Sequence, residues 1–389
     1  MPDSLGTAVG GLVNASGEAG MAVGVLLVGG VLVLERPIYG HPRGISQEQL
    51  AEAWSKTRAG RGGVTFFQVS PDDAVDAGVR LARAWRPDVI HLHTAWLWSV
   101  AQAIRERTGA PLVFTVHSLD RVEYEIGRLA SCWEMQDVVI READRVIAIS
   151  RSERELLEQY LPEACPRARI VGNGIDDCAA ARAAVGGRRP GESPLVLYTG
   201  RFVDRKGIRE LLSAIPLVLE QAPATRFVLV GGYGGGAEIE RSWLADTLRP
   251  YQDRVHFTGW LASDEVAAWY RDADILIVPS WYEPFGMVVL EGMLHGLAIA
   301  ASGVGGPAEI LEHGRTGLLF PPRDVNTLAG TLVRLVADAG LRRRIGVAAA
   351  EEVRRRWLWP RIVKRMRAVY QELLRKAGPP RGMSARPFR

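Results

Sequence analysis

"DILIVPSWYEPFGMVVLEGMLHGLAIAAS", residues 274–302, decides the fold. It reads as a short apolar strand, a loop carrying the acid Glu283, an apolar helix with Glu291 among Val288, Val289, Leu290 and Met293, and a second apolar strand. The strands are apolar on consecutive positions, as parallel strands covered on both faces are. Strand, helix and parallel strand in this order form one unit of an α/β sheet. The same alternation runs along the whole chain. In the first half the apolar runs are "VGVLLVGGVLVL", "GVTFFQVS", "DVIHLHT", "PLVFTVHS", "DRVIAIS" and "ARIVGNG". In the second they are "PLVLYTG", "RFVLVGG", "RVHFTG", "DILIVPS", "LAIAAS" and "GLLF". Helix-sized segments such as 72–86, 208–221 and 324–337 lie between them. The fold class is therefore α/β, with two doubly wound parallel-sheet domains facing a central cleft.

The stretch "ARAAVGGRRPGESP" at 181–194 has no apolar period and is rich in Gly, Pro and Arg, so it reads as a linker. The expected organisation is a first domain at 1–180, a second at 195–356, a basic amphipathic helix at 357–375 and a basic tail at 376–389. The chain has 389 residues, 47% hydrophobic and 24% charged, ample for two cores without metal or disulfide support. A net charge of +4 is too small to imply a nucleic-acid partner and suits an anionic small ligand. Cys132, Cys165 and Cys178 are odd in number and irregularly spaced, which points to free thiols and a cytoplasmic location. From Gly6 to Leu34 the only charge is Glu18, but the dense apolar run, Met21–Leu34, is 14 residues long. A membrane span needs roughly 18–20. The start "MPDSLG" also lacks the basic region of a signal peptide.

In a doubly wound sheet, ligands bind at the carboxyl ends of the strands. The loop Trp281–Phe285 and the helix start at Gly286–Met287 fall there. The first N–H groups of a helix have no partner inside it and lie at its positive end, so they suit phosphate. Glu283 stands just before this anion site and Glu291 about one turn beyond, some 6 Å further along. Carboxylates accept paired hydrogen bonds from vicinal diols, so an acid on each side of a phosphate site fits a nucleotide sugar. "LVLYTGRFVDRKGIRELL" supplies cations at the same edge: Arg201 after the strand and Lys206 before the next helix. The bland alternative is a surface ion pair of these cations with Asp204 or Glu210.

"GRFVDRKG", "GW" (Gly259–Trp260), "PSWYEPFGMVVLEGMLHG" and "GVGGPAEIL" strongly resemble retaining glycosyltransferases of family four, which have the GT-B architecture of two Rossmann-like domains. The resemblance covers nearly all of 195–370 and is thinner in "DVIHLHTAW", "FTVHSLD", "ADRVIAIS" and "VGNGID". It implies transfer of a hexose from a nucleoside-diphosphate sugar, with uridine favoured, to a hydroxyl of a small-molecule, glycan or lipid acceptor. It implies that Arg201 and Lys206 hold the donor diphosphate. Glu283 and the backbone of Phe285, Gly286, Met287 and Val288 would meet the sugar and phosphates. Glu291 would take the ribose hydroxyls, and His117 would sit beside the anomeric carbon. The last helix would cross back to pack on the first domain. Family members begin with a strand and a Gly-Gly loop near the acceptor; "AVGGLV" carries Gly10 and Gly11, but little chain precedes it.

No cofactor is required on this reading, and no metal. No Asp-x-Asp motif sits at a cleft-edge strand end; "PDD" at 71–73 and "DD" at 176–177 read as loop or cap acids. His91 and His93 share one face of a strand without a nearby acid or thiol, so packing or acceptor contact is favoured over metal. Gly232, Gly234 and Ala237 match a dinucleotide fingerprint only loosely, and after the second strand of their domain, where the fingerprint belongs after the first. On the acceptor side the candidates are Gly10, Gly11, Trp96 and Asp120, with Trp98 beside them; Trp260 is a candidate neighbour of the base. The basic last helix is a candidate contact for anionic lipid. Three other activities share the architecture: an epimerase using Asp120 or Glu123, a phosphorylase, and a sugar-nucleotide-binding protein without turnover.

Overall fold

The computed structural model describes residues 12, 13, 15, 16, 19, 21, 23–28, 64–69, 72, 74–85, 87–126, 133–177, 193–232 and 248–377. Gly10, Gly11, Gly234, Ala237, Cys132, Cys178, residues 181–192 of the expected linker and the tail from 378 lie outside them. The chain divides into two compact units. One holds Ile175–Leu358; the other holds the described residues up to Gly174 and the chain from Trp359.

In the N-terminal unit, β1 (Val23–Val28) pairs in parallel with β2 (Val64–Val69). Residues 12–13 and 15–16, just after the Gly-Gly pair, are helical. The run Met21–Leu34 thus supplies β1, following that helical stretch. A separate four-stranded parallel sheet has the order β3 (Ile90–Leu92), β4 (Leu112–Val116), β5 (Arg145–Ala148), β6 (Ala168–Ile170). Every residue of β4 and β5 is buried, which is why their runs are apolar without alternation. Helices α1 (Ala74–Trp85), α2 (Trp98–Thr108), α3 (Asp120–Glu125), α4 (Trp133–Glu142) and α5 (Arg151–Tyr160) lie between the strands in sequence.

The C-terminal helix, Trp359–Ala377, belongs to this unit. Trp359, Ile362, Val363, Met366, Val369 and Leu373 recur at helical spacing and are all buried. Its Glu372 accepts from Arg169 at 2.6 Å and from Arg145 at 3.2 Å. Those two arginines come from β6 and β5, so the carboxylate ties the helix to two neighbouring strands.

The second unit has six parallel strands, β7 (Leu195–Thr199), β8 (Arg226–Val230), β9 (Val255–Gly259), β10 (Ile275–Val278), β11 (Ala298–Ser302) and β12 (Leu318–Phe320). They are ordered β12-β11-β10-β7-β8-β9. The first three strands run to one edge and the last three to the other, so the order reverses between β7 and β10. Helices α6 (Ile208–Gln221), α7 (Ser263–Asp272), α8 (Met287–Leu294), α9 (Gly305–Ile310), α10 (Val325–Ala337) and α11 (Ala339–Arg356) complete it. One core joins the sheet to α6 and α10 through Leu211, Ile215, Val218, Leu328 and Leu332, all 0–1% exposed. Among the described residues, no helix is long and apolar enough to cross a membrane.

Candidate active site

The loops after β7 and β10 emerge side by side at the point of strand-order reversal, where doubly wound sheets bind ligands. The first carries Arg201 and Lys206; the second carries Glu283 and ends at Gly286. Their backbones touch. Gly207 caps α6 at φ +68°, and a Cβ there would lie 2.0 Å from the Pro279 carbonyl oxygen. Only glycine meets both demands. The Arg205 carbonyl accepts from the N–H of Trp281 at 2.9 Å, and its guanidinium donates to the Tyr282 carbonyl at 3.3 Å. Arg205 is buried and was not singled out by the sequence, because its partners lie 77 positions away.

Lys206 donates to the Glu283 carboxylate, which also accepts from Ser280 Oγ at 3.3 Å. The two side chains are 19% and 9% exposed. The surface pair weighed from sequence is not formed by Lys206: Asp204 pairs with Arg209 at 2.9 Å. Burial pushes the Lys206 ammonium down to about 8, Glu283 works against that shift, and Arg205 and Arg201 add to it. Burial opposes ionisation of Glu283, but Lys206 and Arg205 together hold its carboxyl below the usual range. The acid is thus charged at neutral pH.

Gly286 caps α8 at φ +95°, in the left-handed region that favours glycine, and the N-terminus of α8 follows it directly. Phe285 is buried, its ring 5.6 Å from that of Trp357. Met287 is buried and Val288 half-buried. Arg201 is half-buried, and its carbonyl accepts from the Tyr198 hydroxyl at 2.8 Å. Trp260 is 39% exposed and lies against Gly232, whose Cβ position is 3.2 Å from the indole nitrogen.

Glu291 lies on α8, half-buried. Its Oε2 accepts from the Tyr270 hydroxyl at 2.6 Å. That hydroxyl is also 2.8 Å from Thr199 Oγ1, at the end of β7. Burial raises the Glu291 carboxyl above its ordinary range, and the bond from Tyr270 opposes the rise. Tyr270 is a second residue the sequence reading missed. A tyrosine on the buried face of a helix needs a partner for its hydroxyl, and that requirement was the available signal.

In the N-terminal unit, His117 directly follows β4 and His93 directly follows β3. His93 Nδ1 and His117 Nε2 are 3.0 Å apart, so one ring donates and the other accepts. The rings of His91 and His93 lie 4.1 Å apart, and His91 bonds Thr115 at 2.7 Å and Tyr370 at 2.6 Å. Burial, then the neighbouring imidazoles, holds His91 and His117 well below the ordinary histidine range; burial brings His93 down to about 4. All three are neutral at pH 7. Among the described residues no group of three His, Cys, Asp or Glu is arranged to hold a metal ion.

The loop after His117 is clamped from two sides. Gln136 donates to the Ser118 carbonyl at 3.0 Å and accepts from the Asp120 N–H at 2.8 Å, while Glu153 accepts from the Leu119 N–H at 3.0 Å. Asp120, an acceptor-side candidate from sequence, is the first residue of α3. Trp96 sits in a short 3-10 turn and is 45% exposed. His93, His117 and Asn173, with Trp359 and Met366, line a small cavity in the same unit.

Residues 193–338 match the family of glycosyl transferases group 1, and residues 66–177 match glycosyltransferase family 4. The chain is 32% identical over 317 residues to D-inositol 3-phosphate glycosyltransferase of Thermobispora bispora, covering 75% of this chain and 72% of that protein. It is 29% identical over 308 residues to glycogen synthase of Mycobacterium tuberculosis, covering 76% and 72%. Sucrose-phosphate synthase from Thermosynechococcus elongatus superposes with a TM-score of 0.68 at 28% identity, over 94% of this chain and 92% of that one. The Anabaena protein HepE, solved with UDP and glucose, superposes with a TM-score of 0.70 over 95% and 96% of the two chains; at 18% identity that likeness is one of fold.

Proposed function

Because the chain belongs to the glycosyltransferases of family four, an enzyme family acting on nucleotide sugars, we propose that it moves a hexose from a uridine-diphosphate sugar to a hydroxyl of a small-molecule, glycan or lipid acceptor, with retention at the anomeric carbon and without metal. The observation that carries this reading is the buried Lys206–Glu283 pair beside the N-terminus of α8, at the strand-order reversal. A diphosphate seated on that helix start takes Lys206 as its cation and leaves Glu283 for the sugar hydroxyls. Glu291 takes the ribose.

Inversion requires a general base opposite the leaving group, and double displacement requires a nucleophilic carboxylate there. His117, the family-aligned candidate, is a neutral imidazole held far below the ordinary range, and so a weak base. Front-side substitution needs neither. The acceptor oxygen bonds to the anomeric carbon on the face the diphosphate leaves, and the acceptor proton passes to the departing phosphate oxygen. The protein supplies position and positive charge. The test is proton NMR of the product formed from an α-linked UDP-hexose with inositol phosphates and glucans as acceptors. An α-linkage is expected; a β-linkage, or no transfer from any nucleotide sugar, refutes the proposal.

Two further expectations follow from the cations. Turnover persists in excess EDTA, since Arg201, Lys206 and the α8 N-terminus supply the charge a metal otherwise brings; total loss restored by magnesium or manganese refutes this. Burial holds the Lys206 ammonium down to about 8, and a diphosphate bound beside it would raise it. Above about pH 8, binding therefore takes up a proton, and affinity falls as pH rises. Calorimetry of nucleoside diphosphate binding at alkaline pH, in buffers of different ionisation enthalpy, reads that uptake directly. Lys206→Met abolishes it. The free thiol Cys165 is consistent with a cytoplasmic site of action.

A further inference from the structure

Tyr270 is 2% exposed and Thr199 6% exposed, so their hydroxyls are bonded inside the unit. A tyrosine hydroxyl has one proton. Tyr270 gives it to Glu291 Oε2 at 2.6 Å, so at 2.8 Å the Thr199 hydroxyl must be the donor to Tyr270. The chain of bonds runs in one direction, from the last residue of β7, through α7, to the carboxylate on α8. The His295 ring stacks on Tyr270 at 5.3 Å and 19°, and its Nδ1 lies 2.9 Å from the Glu291 carbonyl oxygen. Glu291 is thereby tied through both its side chain and its backbone to the same tyrosine assembly, from two different elements.

A glutamate half-open to solvent ordinarily samples several rotamers, and ordering it on binding costs about 0.5–1.5 kcal/mol. Here that order exists beforehand. We propose that Tyr270, held by Thr199, is a positioning residue: it occupies Glu291 Oε2 and fixes the carboxylate so that its remaining acceptor capacity meets both ribose hydroxyls of the donor nucleotide. The inference rests on the reading that Glu291 takes the ribose. It gives the buried hydroxyl pair a purpose beyond mutual satisfaction, because the bond ends on the one member of the chain that a ligand can reach.

The probes are uridine and adenosine diphosphates, each beside its 2′,3′-dideoxy form, titrated calorimetrically into the wild type, Tyr270→Phe and Glu291→Ala. Tyr270→Phe removes one hydroxyl and no ring, so the stack on His295 remains. The expected result is a loss of about 3–10-fold for the ribose forms and none for the dideoxy forms. A merely structural tyrosine weakens both forms equally, or neither, and either pattern overturns the proposal. Glu291→Ala separates the two layers of argument. If it discriminates ribose from dideoxyribose while Tyr270→Phe does not, the positioning role falls and the ribose reading stands. If Glu291→Ala itself fails to discriminate, both fall. Should Tyr270→Phe not fold, Thr199→Val reads the same chain one bond earlier. It carries a smaller loss in the same ribose-selective pattern, and an unselective effect overturns the proposal.

Discussion

Lys206→Ala is expected to lower kcat on the order of 10²–10³-fold while weakening nucleoside diphosphate binding far less. The leaving diphosphate gains negative charge as the glycosidic bond breaks, so a cation beside it is worth more in the transition state than in the ground state. The site makes that charge effective: Lys206 is 19% exposed and has Arg205 and Arg201 for neighbours, so solvent screens little of its field. A second consequence travels with the substitution. Glu283 keeps its charge against burial chiefly through Lys206, and without it the carboxyl moves up toward its protonated form. Breaking a buried pair by removing one partner also destabilises the fold, by about 3 kcal/mol or more. Lys206→Ala with Glu283→Gln in the same chain separates these effects. If the two residues act as one unit, the double variant is no slower than the slower single variant, and its melting temperature partly recovers. A rise in KM with kcat intact would falsify the transition-state role.

The loss above depends on a strand-order reversal that no local signal announces. The apolar runs were legible as twelve parallel strands because strands buried on both faces have no polar positions to interrupt them; β4, β7, β10 and β11 are buried along their whole length. Their order was not legible, since β10 pairs with β7, some 80 residues earlier, and not with β9. Lys206 and Glu283 were both legible as charges beside a helix start, but not as partners of each other, because 77 residues separate them. Arg205 and Tyr270 were missed for a related reason. In sequence they are one cation among several and one aromatic on an amphipathic helix. Only the fold shows that Arg205 bonds the loop after β10 and that Tyr270 bonds Glu291. The histidines show the reverse case. The i, i+2 spacing of His91 and His93 was visible, yet the ring that engages each of them comes from another element, His117 after β4 and Tyr370 on the last helix.

Glu291→Ala is expected to weaken nucleoside diphosphate binding by about 10–100-fold, the value of a charge-assisted hydrogen bond of ~1.5–3 kcal/mol. The loss has two sources, and Glu291→Gln divides them. Alanine removes the acceptor from Tyr270, which is buried and whose hydroxyl proton then has no carboxylate to meet. On the proposed function it also removes the acceptors for the ribose. Glutamine keeps a carbonyl oxygen for Tyr270 and presents an NH₂ on the other side, so the fold is spared while a ribose hydroxyl meets a donor in place of an anion. If ribose recognition dominates, Glu291→Gln loses nearly as much affinity as alanine and melts near the wild-type temperature. If the acid serves mainly to satisfy Tyr270, glutamine binds as the wild type does and alanine is the variant that unfolds early. The carboxyl's raised position adds an independent reading. Its charged form is the one a diol prefers, so below its raised pKa the wild type loses affinity as Glu291 takes up a proton, and that acid limb disappears in Glu291→Gln. Unchanged affinity of Glu291→Ala across pH, on folded protein, removes Glu291 from the ribose and leaves it as the buried tyrosine's partner alone.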